Sequence, residues 1–146
     1  MGGVKVARPE NVCMFMDHYA PPSTLSQATV QKEFREFCRE QKIGHLMDVN
    51  RGVCHQVLID SGLSEPGLVI VITDSHTTTH GALGAFATGV GATDLATILL
   101  TGKLWFRVPQ ILRITLNGTL QPGVFAKDAV SYTHLRAHET RHDLVC

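Results

Sequence analysis

The amino-acid sequence predicts an α/β fold, and three segments carry the prediction. Residues 12–16 form an apolar run of strand length, residues 25–42 place apolar side chains at helical spacing, and residues 68–72 are five consecutive aliphatics. An unbroken aliphatic run is typical of a strand that is covered on both faces, as in a parallel sheet. We therefore expect the two strands to be parallel, with the helix between them in the chain.

Local sequence patterns indicate where several elements begin. Thr24 and Gln27 have the T-x-x-Q spacing of a capping box, which predicts that the helix begins at about residue 25. Residues 45–48 and 52–59 are compatible with either a helix or a strand. The segment 81–91 is rich in Gly and Ala, which predicts helices or turns whose backbone approaches a neighbouring element closely.

The last elements are predicted from caps and turns. Thr93 or Asp94 is expected to cap a helix over residues 95–100, and Gly102 is expected to end that helix. Residues 111–120 predict a β-hairpin with an Asn-Gly turn, because this pair tolerates the positive φ that a two-residue turn requires.

The composition argues against several classes of protein. Thirteen Lys and Arg balance thirteen Asp and Glu in 146 residues, so no field of one sign attracts nucleic acid or an anionic membrane. The longest uncharged apolar run, residues 81–93, is shorter than the roughly 18 residues of a membrane span. The N-terminus lacks the apolar core of a signal peptide. We expect a cytoplasmic domain with reduced cysteines that binds neither nucleic acid nor membrane.

The unusual feature of the composition is its eight histidines. Asp17-His18 follows the first predicted strand, Asp74-Ser75-His76 follows the second, and His55-Gln56 lies in a third apolar segment. Ligands of open α/β sheets bind beyond the carboxyl ends of the strands, so we expect these groups to converge on one pocket. Carboxylates that fix imidazole tautomers are typical of general acid and base catalysis.

Two other functions compete with this interpretation. His76 and His80 lie four residues apart and, with Asp74, fit the ligands of a small metal-dependent hydrolase. The threonines between the two histidines are poor helix formers, however, and the pair would need a helix to face one side. A non-catalytic binding module is the other alternative, favoured if a complete gene ends near residue 130.

The end of the chain differs in composition from the rest. His134, His138 and His142 recur every four residues, which on a helix would form a face of metal ligands. From residue 131 onwards, however, glycine is missing and the sequence resembles a translated sequencing-adaptor read-through. We therefore predict that residues 1–130 are the native part, and that 131–146 are a non-native tail to be excluded from fold reasoning.

Four segments resemble, in the same order, the large subunits of 3-isopropylmalate dehydratases, which belong to the aconitase superfamily. They are Asp17–Pro22, Gly52–Leu58, Thr73–Asp94 and Thr101–Pro109. The resemblance extends from about residue 11 to 130 and implies an incomplete piece of a three-layer, aconitase-like α/β domain with a partly parallel sheet. Homoaconitase, 2-methylmalate dehydratase and aconitase are similar to these enzymes, so the family member stays open.

The resemblance also implies an activity and a set of residue roles. A hydro-lyase of this kind removes water from a 2-hydroxy di- or tricarboxylic acid and returns it at the neighbouring carbon, as in the conversion of 2-isopropylmalate to 3-isopropylmalate in leucine biosynthesis. His18 then resembles the proton donor to the leaving hydroxyl, oriented by Asp17, and His55 a second catalytic imidazole. The other implied site residues are Asp74 and His76, as catalytic groups, and Gln56 and Ser75, as substrate-binding groups.

A [4Fe-4S] cluster and a small subunit, forming a heterodimer, are the cofactor and partner that the resemblance implies. None of the four cysteines, at positions 13, 38, 54 and 146, matches the family's cluster pattern, so we expect no metal ligand in this chain. The base that removes the carbon-bound proton is expected on another domain or subunit. The chain alone is therefore expected to be a fragment without activity.

Overall fold

The structure is a computed structural model that describes residues 5–108, 110, 113, 115–126 and 128. The chain divides into two compact units, Met1–Trp105 and Phe106–Cys146, and the helices and strands described here belong to the first. They are, in chain order, β1 (Cys13–Phe15), α1 (Leu25–Gln41), β2 (His45–Met47), α2 (Cys54–Asp60), β3 (Val69–Ile72), β4 (Phe86–Gly89) and α3 (Ala92–Thr101). Two 3₁₀ helices, Pro9–Asn11 and Ser75–Leu83, precede β1 and β4. The predicted tail from residue 131 lies outside the described residues.

The strands form two parallel pairs, and the predicted α/β class is confirmed. β1 pairs with β2, with Cys13 opposite His45, and β3 pairs with β4, with Ile72 opposite Gly89. Within the described residues these are separate two-stranded sheets. The two apolar strands of the sequence, now β1 and β3, therefore lie in different sheets, and each is paired in parallel with another strand. A parallel pair needs a connection of about a dozen residues or more. Helix α1 provides it between β1 and β2, and the segment with the 3₁₀ helix Ser75–Leu83 provides it between β3 and β4.

Helix α1 begins and ends almost where its sequence predicts. Thr24 is its N-cap, and its hydroxyl accepts a hydrogen bond from the backbone N–H of Gln27. The Gln27 side chain accepts in turn from the backbone N–H of Ser23, one residue before the position that a capping box uses. Lys42, in the left-handed region at φ 60°, terminates the helix. The capping residues thus fix both ends of the longest helix.

The structure decides the two open segments and corrects the Gly-rich one. Residues 45–47 form a strand and residues 54–60 a helix. The Gly- and Ala-rich segment contains the end of the 3₁₀ helix Ser75–Leu83, as predicted, but also strand β4, which was not predicted. A Cβ on Gly89 would lie 2.7 Å from the carbonyl oxygen of Asp74, so the expected close backbone approach is confirmed there.

The predicted cap of the last helix is wrong. Helix α3 begins at Ala92, with Gly91 as an N-cap that makes no side-chain hydrogen bond. Asp94 lies in the first turn, where a carboxylate stabilises the positive end of the helix dipole. Gly102, at φ 68°, ends the helix as predicted. The predicted hairpin lies partly outside the described residues, and residues 113 and 115–120 form no strand.

A small core lies between α1, the first sheet and α3. Val6, Cys38 and Ile43 are its buried members. The partly buried side chains that pack against them are Val12, Met14, Phe37, Leu46 and Leu99. Among the described residues, no helix has the length and apolar character needed to cross a membrane.

Candidate active site

The end of β1 leads to a carboxylate that is held from two sides. Asp17 Oδ1 lies 2.8 Å from Nδ1 of His18, and Asp17 Oδ2 accepts a 2.8 Å hydrogen bond from the backbone N–H of Cys54. The Asp17 side chain is 13% exposed, whereas that of His18 is 78% exposed. A fixed carboxylate therefore presents an imidazole to solvent.

The end of β3 leads to a second carboxylate, Asp74, which is likewise bonded to imidazole rings and to a backbone N–H. Asp74 Oδ1 lies 2.9 Å from Nε2 of His55 and 3.1 Å from Nδ1 of His76, and it accepts a 2.7 Å hydrogen bond from the backbone N–H of His76. The His76 side chain is 82% exposed, whereas that of His55 is 14% exposed. Asp74 thus connects one shielded imidazole and one exposed imidazole.

The first two residues of α2 connect the two carboxylates. Cys54 donates its backbone N–H to Asp17, and the side chain of the next residue, His55, bonds to Asp74. The polar groups that follow β1 and β3 are therefore joined through neighbouring residues of α2, and their convergence on one pocket stays a prediction. The connection is made by a short helix whose secondary structure the sequence left undecided.

These hydrogen bonds shift the titration of the groups that make them. Bonding from His55, and then from the His76 N–H, lowers the pKa of Asp74 to about 2. Burial raises the pKa of Asp17, but the bonds from His18 and Cys54 outweigh it, so the pKa lies below its ordinary value. The bond to Asp17 raises the pKa of His18, and the charge of Asp74 adds to this effect. Both carboxylates are therefore ionised near neutral pH, and His18 is protonated more readily than a free histidine.

Gln56 and Ser75, the two predicted substrate-binding residues, lie at the edges of this arrangement. The Gln56 amide donates a 2.7 Å hydrogen bond to Asp60, one turn further along α2, and its side chain is exposed. Ser75 is exposed between Asp74 and His76 at the start of the 3₁₀ helix. Their role in binding substrate stays a prediction.

The backbone beneath Asp74 is tightly held. The fully buried Thr77 donates its hydroxyl to the Asp74 carbonyl oxygen at 2.5 Å. Gly89 of β4 packs against the same carbonyl, where a side chain would collide with it. These contacts fix the position from which the Asp74 carboxylate extends.

His80 does not join Asp74 and His76 as a metal ligand. Its side chain is fully buried, with Nδ1 2.9 Å from the Ser64 hydroxyl and Nε2 3.3 Å from Nδ1 of His55. Both ring nitrogens are thus already hydrogen-bonded, and neither is free for a metal. Among the described residues, no three His, Cys, Asp or Glu side chains are placed to hold a metal ion. The geometry therefore disfavours the metal-dependent hydrolase.

The described cysteines do not fit an iron–sulfur cluster, whose ligands are thiolates. Burial, and then the neighbouring Cys38, raises the pKa of Cys13 to about 11. Burial also raises the pKa of Cys38. Burial, and then the hydrogen bond and charge of Asp17, raises the pKa of Cys54 to about 12. In the absence of a metal these three side chains therefore favour the protonated thiol, and that they bind no iron stays an expectation.

Comparison with known proteins confirms the resemblance. The family model of the aconitase family (aconitate hydratase) matches residues 3–141. The 3-isopropylmalate dehydratase large subunit 1 of Methanopyrus kandleri is 52% identical over 130 residues, which are 89% of this chain and 31% of the relative. The homoaconitase large subunit of Thermus thermophilus is 51% identical over 121 residues, which are 83% of this chain and 29% of the relative.

A further relative gives the same result. The probable methanogen homoaconitase large subunit of Methanosarcina mazei is 50% identical over 128 residues, which are 88% of this chain and 33% of the relative. The chain thus spans about a third of the length of the curated relatives that it matches. Membership of this family implies an iron–sulfur cluster in general, although the described residues supply no ligand set for one. The family match over almost all of the sequence shows that the chain belongs to the aconitase family.

Proposed function

We propose that this chain supplies part of the acid/base apparatus of a hydro-lyase, which dehydrates a 2-hydroxy acid and rehydrates the product at the neighbouring carbon. The observation that carries the proposal is the convergence of Asp17-His18 and Asp74-Ser75-His76 at the first residues of α2. Two exposed imidazoles, each oriented by an ionised carboxylate, suit proton transfer to and from a bound substrate.

His18 is the group that would protonate the leaving hydroxyl. Hydroxide is a poor leaving group, so the carbon–oxygen bond breaks more easily when the oxygen receives a proton and departs as water. Asp17 holds Nδ1 of the His18 ring, which leaves Nε2 as the nitrogen that delivers the proton. The raised pKa of His18 keeps this proton available nearer neutral pH. Removal of the carbon-bound proton by a base outside this chain completes the elimination, and the reverse steps rehydrate the alkene.

The second carboxylate has a different part in the proposal. Asp74 orients the exposed ring of His76, which together with Ser75 would bind the substrate and the released water. His55 stays shielded behind Asp74 as the second catalytic imidazole. The described residues do not fit an iron–sulfur cluster, so the steps proposed for these residues are those of their carboxylates and imidazoles.

The relatives indicate two candidate substrates. We propose 2-isopropylmalate as the first, because relatives named 3-isopropylmalate dehydratase large subunit are up to 52% identical to this chain. The substrate of homoaconitase is the second candidate, since the Methanosarcina mazei and Thermus thermophilus relatives are named homoaconitase large subunits at 50% and 51% identity. Their designation as large subunits supports a small subunit as the partner in the complete enzyme.

A chimeric enzyme tests this proposal. The matched residues of this chain would replace the corresponding segment of the Methanopyrus kandleri large subunit, which would be produced with its small subunit. We expect the chimera to interconvert 2- and 3-isopropylmalate, and His18→Gln to lower its kcat by about 10²- to 10⁴-fold. His45→Gln, at an exposed histidine that begins β2, is the matched control and is expected to keep kcat within about twofold. A correctly assembled chimera in which His18→Gln retains full kcat would refute the assignment.

A further inference from the structure

A buried chain of hydrogen bonds lies behind His55. The Ser64 hydroxyl is 2.9 Å from Nδ1 of His80, and Nε2 of His80 is 3.3 Å from Nδ1 of His55. The two imidazole rings have centroids 5.4 Å apart. His80 is 0% exposed and Ser64 9% exposed, so water does not compete strongly for these bonds. We name the set of Asp74, His55, His80 and Ser64 the imidazole relay.

The fold brings the members of the relay together from separate elements. His55 lies in α2, Ser64 in the loop after it, and His80 in the 3₁₀ helix Ser75–Leu83, which packs on α2. Among the described residues, every buried side-chain nitrogen and oxygen has a hydrogen-bond partner. The free-energy cost of burying the two ring nitrogens of His80 is therefore offset, because each nitrogen has a hydrogen-bond partner.

The ionised Asp74 determines where the protons of the relay lie. Because its carboxylate can only accept, Nε2 of His55 must carry a proton and donate it. When His55 is neutral, its Nδ1 accepts from Nε2–H of His80. Nδ1 of His80 then accepts from the Ser64 hydroxyl, so all three hydrogen bonds are made.

The relay also accommodates a positively charged His55. In that state His55 Nδ1–H donates to Nε2 of His80, and His80 Nδ1–H donates to the Ser64 oxygen. His80 stays neutral in both states and changes only its tautomer. Burial lowers the pKa of His80, and the charge of His55 lowers it further, which agrees with a ring that remains neutral. Among the described residues, the other titratable groups that contact the His55 ring are Asp74, at 2.9 Å, and His76, whose ring centroid is 6.5 Å away.

We propose that His80, supported by Ser64, is a positioning residue that keeps the His55 ring bonded to Asp74 in both protonation states of His55. This inference rests on the proposed function, because it assigns His80 a part in preparing a catalytic imidazole. His80 does not touch the substrate in this proposal, and Ser64 acts only through His80.

Nuclear magnetic resonance of the 146-residue chain, with ¹⁵N-labelled histidine, tests the proposal without turnover. We expect a proton on Nε2 of His55 in every state and a scalar coupling between His80 Nε2 and His55 Nδ1. His80 is expected to be neutral throughout, with its proton on Nε2 whenever His55 is neutral and on Nδ1 whenever His55 is charged. A His80 that carries its proton on Nδ1 while His55 is neutral, or that becomes charged while His55 stays neutral, would overturn the proposal.

Substitutions of His80 separate positioning from general packing. His80→Gln keeps an amide that can donate to or accept from His55, whereas His80→Phe keeps an aromatic ring but offers no such group. In the chimeric enzyme we expect His80→Phe to lower kcat about tenfold, and His80→Gln to recover most of that loss. Equal losses in both variants, with the wild-type coupling absent, would leave His80 a merely structural role.

The two experiments fail in distinguishable ways. A relay that is present by magnetic resonance in an inactive chimera contradicts the proposed function alone. An active chimera whose wild-type chain lacks the coupling contradicts the relay alone. If His80→Phe does not fold, the wild-type coupling and Ser64→Ala, which removes only the hydroxyl behind His80, still decide the outcome. In Ser64→Ala we expect the coupling between His80 Nε2 and His55 Nδ1 to weaken, because the hydroxyl no longer holds the His80 ring, and an unchanged coupling would count against the supporting role of Ser64.

Discussion

The carboxylate of Asp17 accepts a 2.8 Å hydrogen bond from the backbone N–H of Cys54, 37 residues further along the chain. This bond anchors the start of α2 beside the end of β1. The next residue, His55, then reaches Asp74 at 2.9 Å after β3. One helix start thereby joins two strand ends, and both exposed imidazoles of the candidate site depend on it.

The closeness of the Asp17 carboxylate to the Cys54 thiol should be measurable through the reactivity of the thiol. Burial, and then the hydrogen bond and charge of Asp17, raises the pKa of Cys54 to about 12, so little reactive thiolate is present. Asp17→Asn removes the charge, and we expect Cys54 to be alkylated faster by iodoacetamide at pH 8. Peptide-resolved mass spectrometry measures the rate. Asp48→Asn is the control, because Asp48 bonds to Arg35 instead, and an equal rate in both variants would contradict the contact.

Removing the charge of Asp74 should destabilise the chain. Its carboxylate accepts from the His76 N–H and bonds to the His55 ring, and Asp74→Asn weakens both bonds. Because Asp74 is one-third exposed, we expect a modest loss of about 1 kcal/mol in the free energy of unfolding, measured with urea. Asp60→Asn, on the exposed side of α2, should change it by less than about 0.5 kcal/mol. Equal losses of unfolding free energy in Asp74→Asn and Asp60→Asn would contradict a stabilising role of the Asp74 hydrogen bonds.

The same carboxylate predicts how stability depends on pH. Asp74 has a pKa of about 2 when folded and about 4 when unfolded, so its contribution is present above pH 4 and disappears as the pH falls towards 2. Asp17 acts in the same direction. We expect the urea midpoint to fall over this interval, with a smaller fall in Asp74→Asn. The same pH dependence in both proteins would contradict the lowered pKa of Asp74.

His18 contributes with the opposite sign. Its pKa is raised in the folded chain, so its stabilising effect is present below the unfolded value of about 6.5 and is lost as the pH rises through the folded value. The side chain is largely exposed, and the effect on stability is accordingly small.

A methyl group at Gly89 tests the backbone contact beneath Asp74. In Gly89→Ala the Cβ would lie 2.7 Å from the Asp74 carbonyl oxygen, so β4 or the start of the 3₁₀ helix must move. We expect a loss of about 1–3 kcal/mol in the free energy of unfolding. Gly81→Ala is the matched control, because its Cβ meets nothing within 4 Å. Comparable losses in the two variants would refute the close approach.

The elements that the sequence predicts correctly are those determined by local interactions. The α1 helix depends on its capping residues and its apolar spacing, which are visible in the sequence. Strand β4 is not predictable in the same way, because its Gly and Ala residues carry no clear alternation, and its formation depends on pairing with β3. Strand β2, with three residues, is too short to show a period.

Some residues of the candidate site can be predicted from the sequence, whereas others cannot. Polar residues at two strand ends are expected to converge in an α/β sheet, and this expectation locates Asp17, His18, Asp74 and His76. The partners of His55 are less accessible to such reasoning. Ser64 and His80 are 16 residues apart, and a buried hydroxyl bonded to a buried imidazole has no distinctive sequence spacing. The i, i+4 spacing of His76 and His80 instead suggests metal ligands, since it assumes an α-helix where the structure has a 3₁₀ helix.

The convergence of the two strand ends on one site is tested most directly by the titration of His18 in ¹H–¹⁵N magnetic resonance spectra. The bond to Asp17 and, to a smaller extent, the charge of Asp74 raise the pKa of His18. We therefore predict that Asp17→Asn lowers this pKa strongly, that Asp74→Asn lowers it slightly, and that Asp48→Asn leaves it unchanged. A His18 pKa that does not respond to Asp74→Asn, in a chain that is still folded, would contradict a shared site.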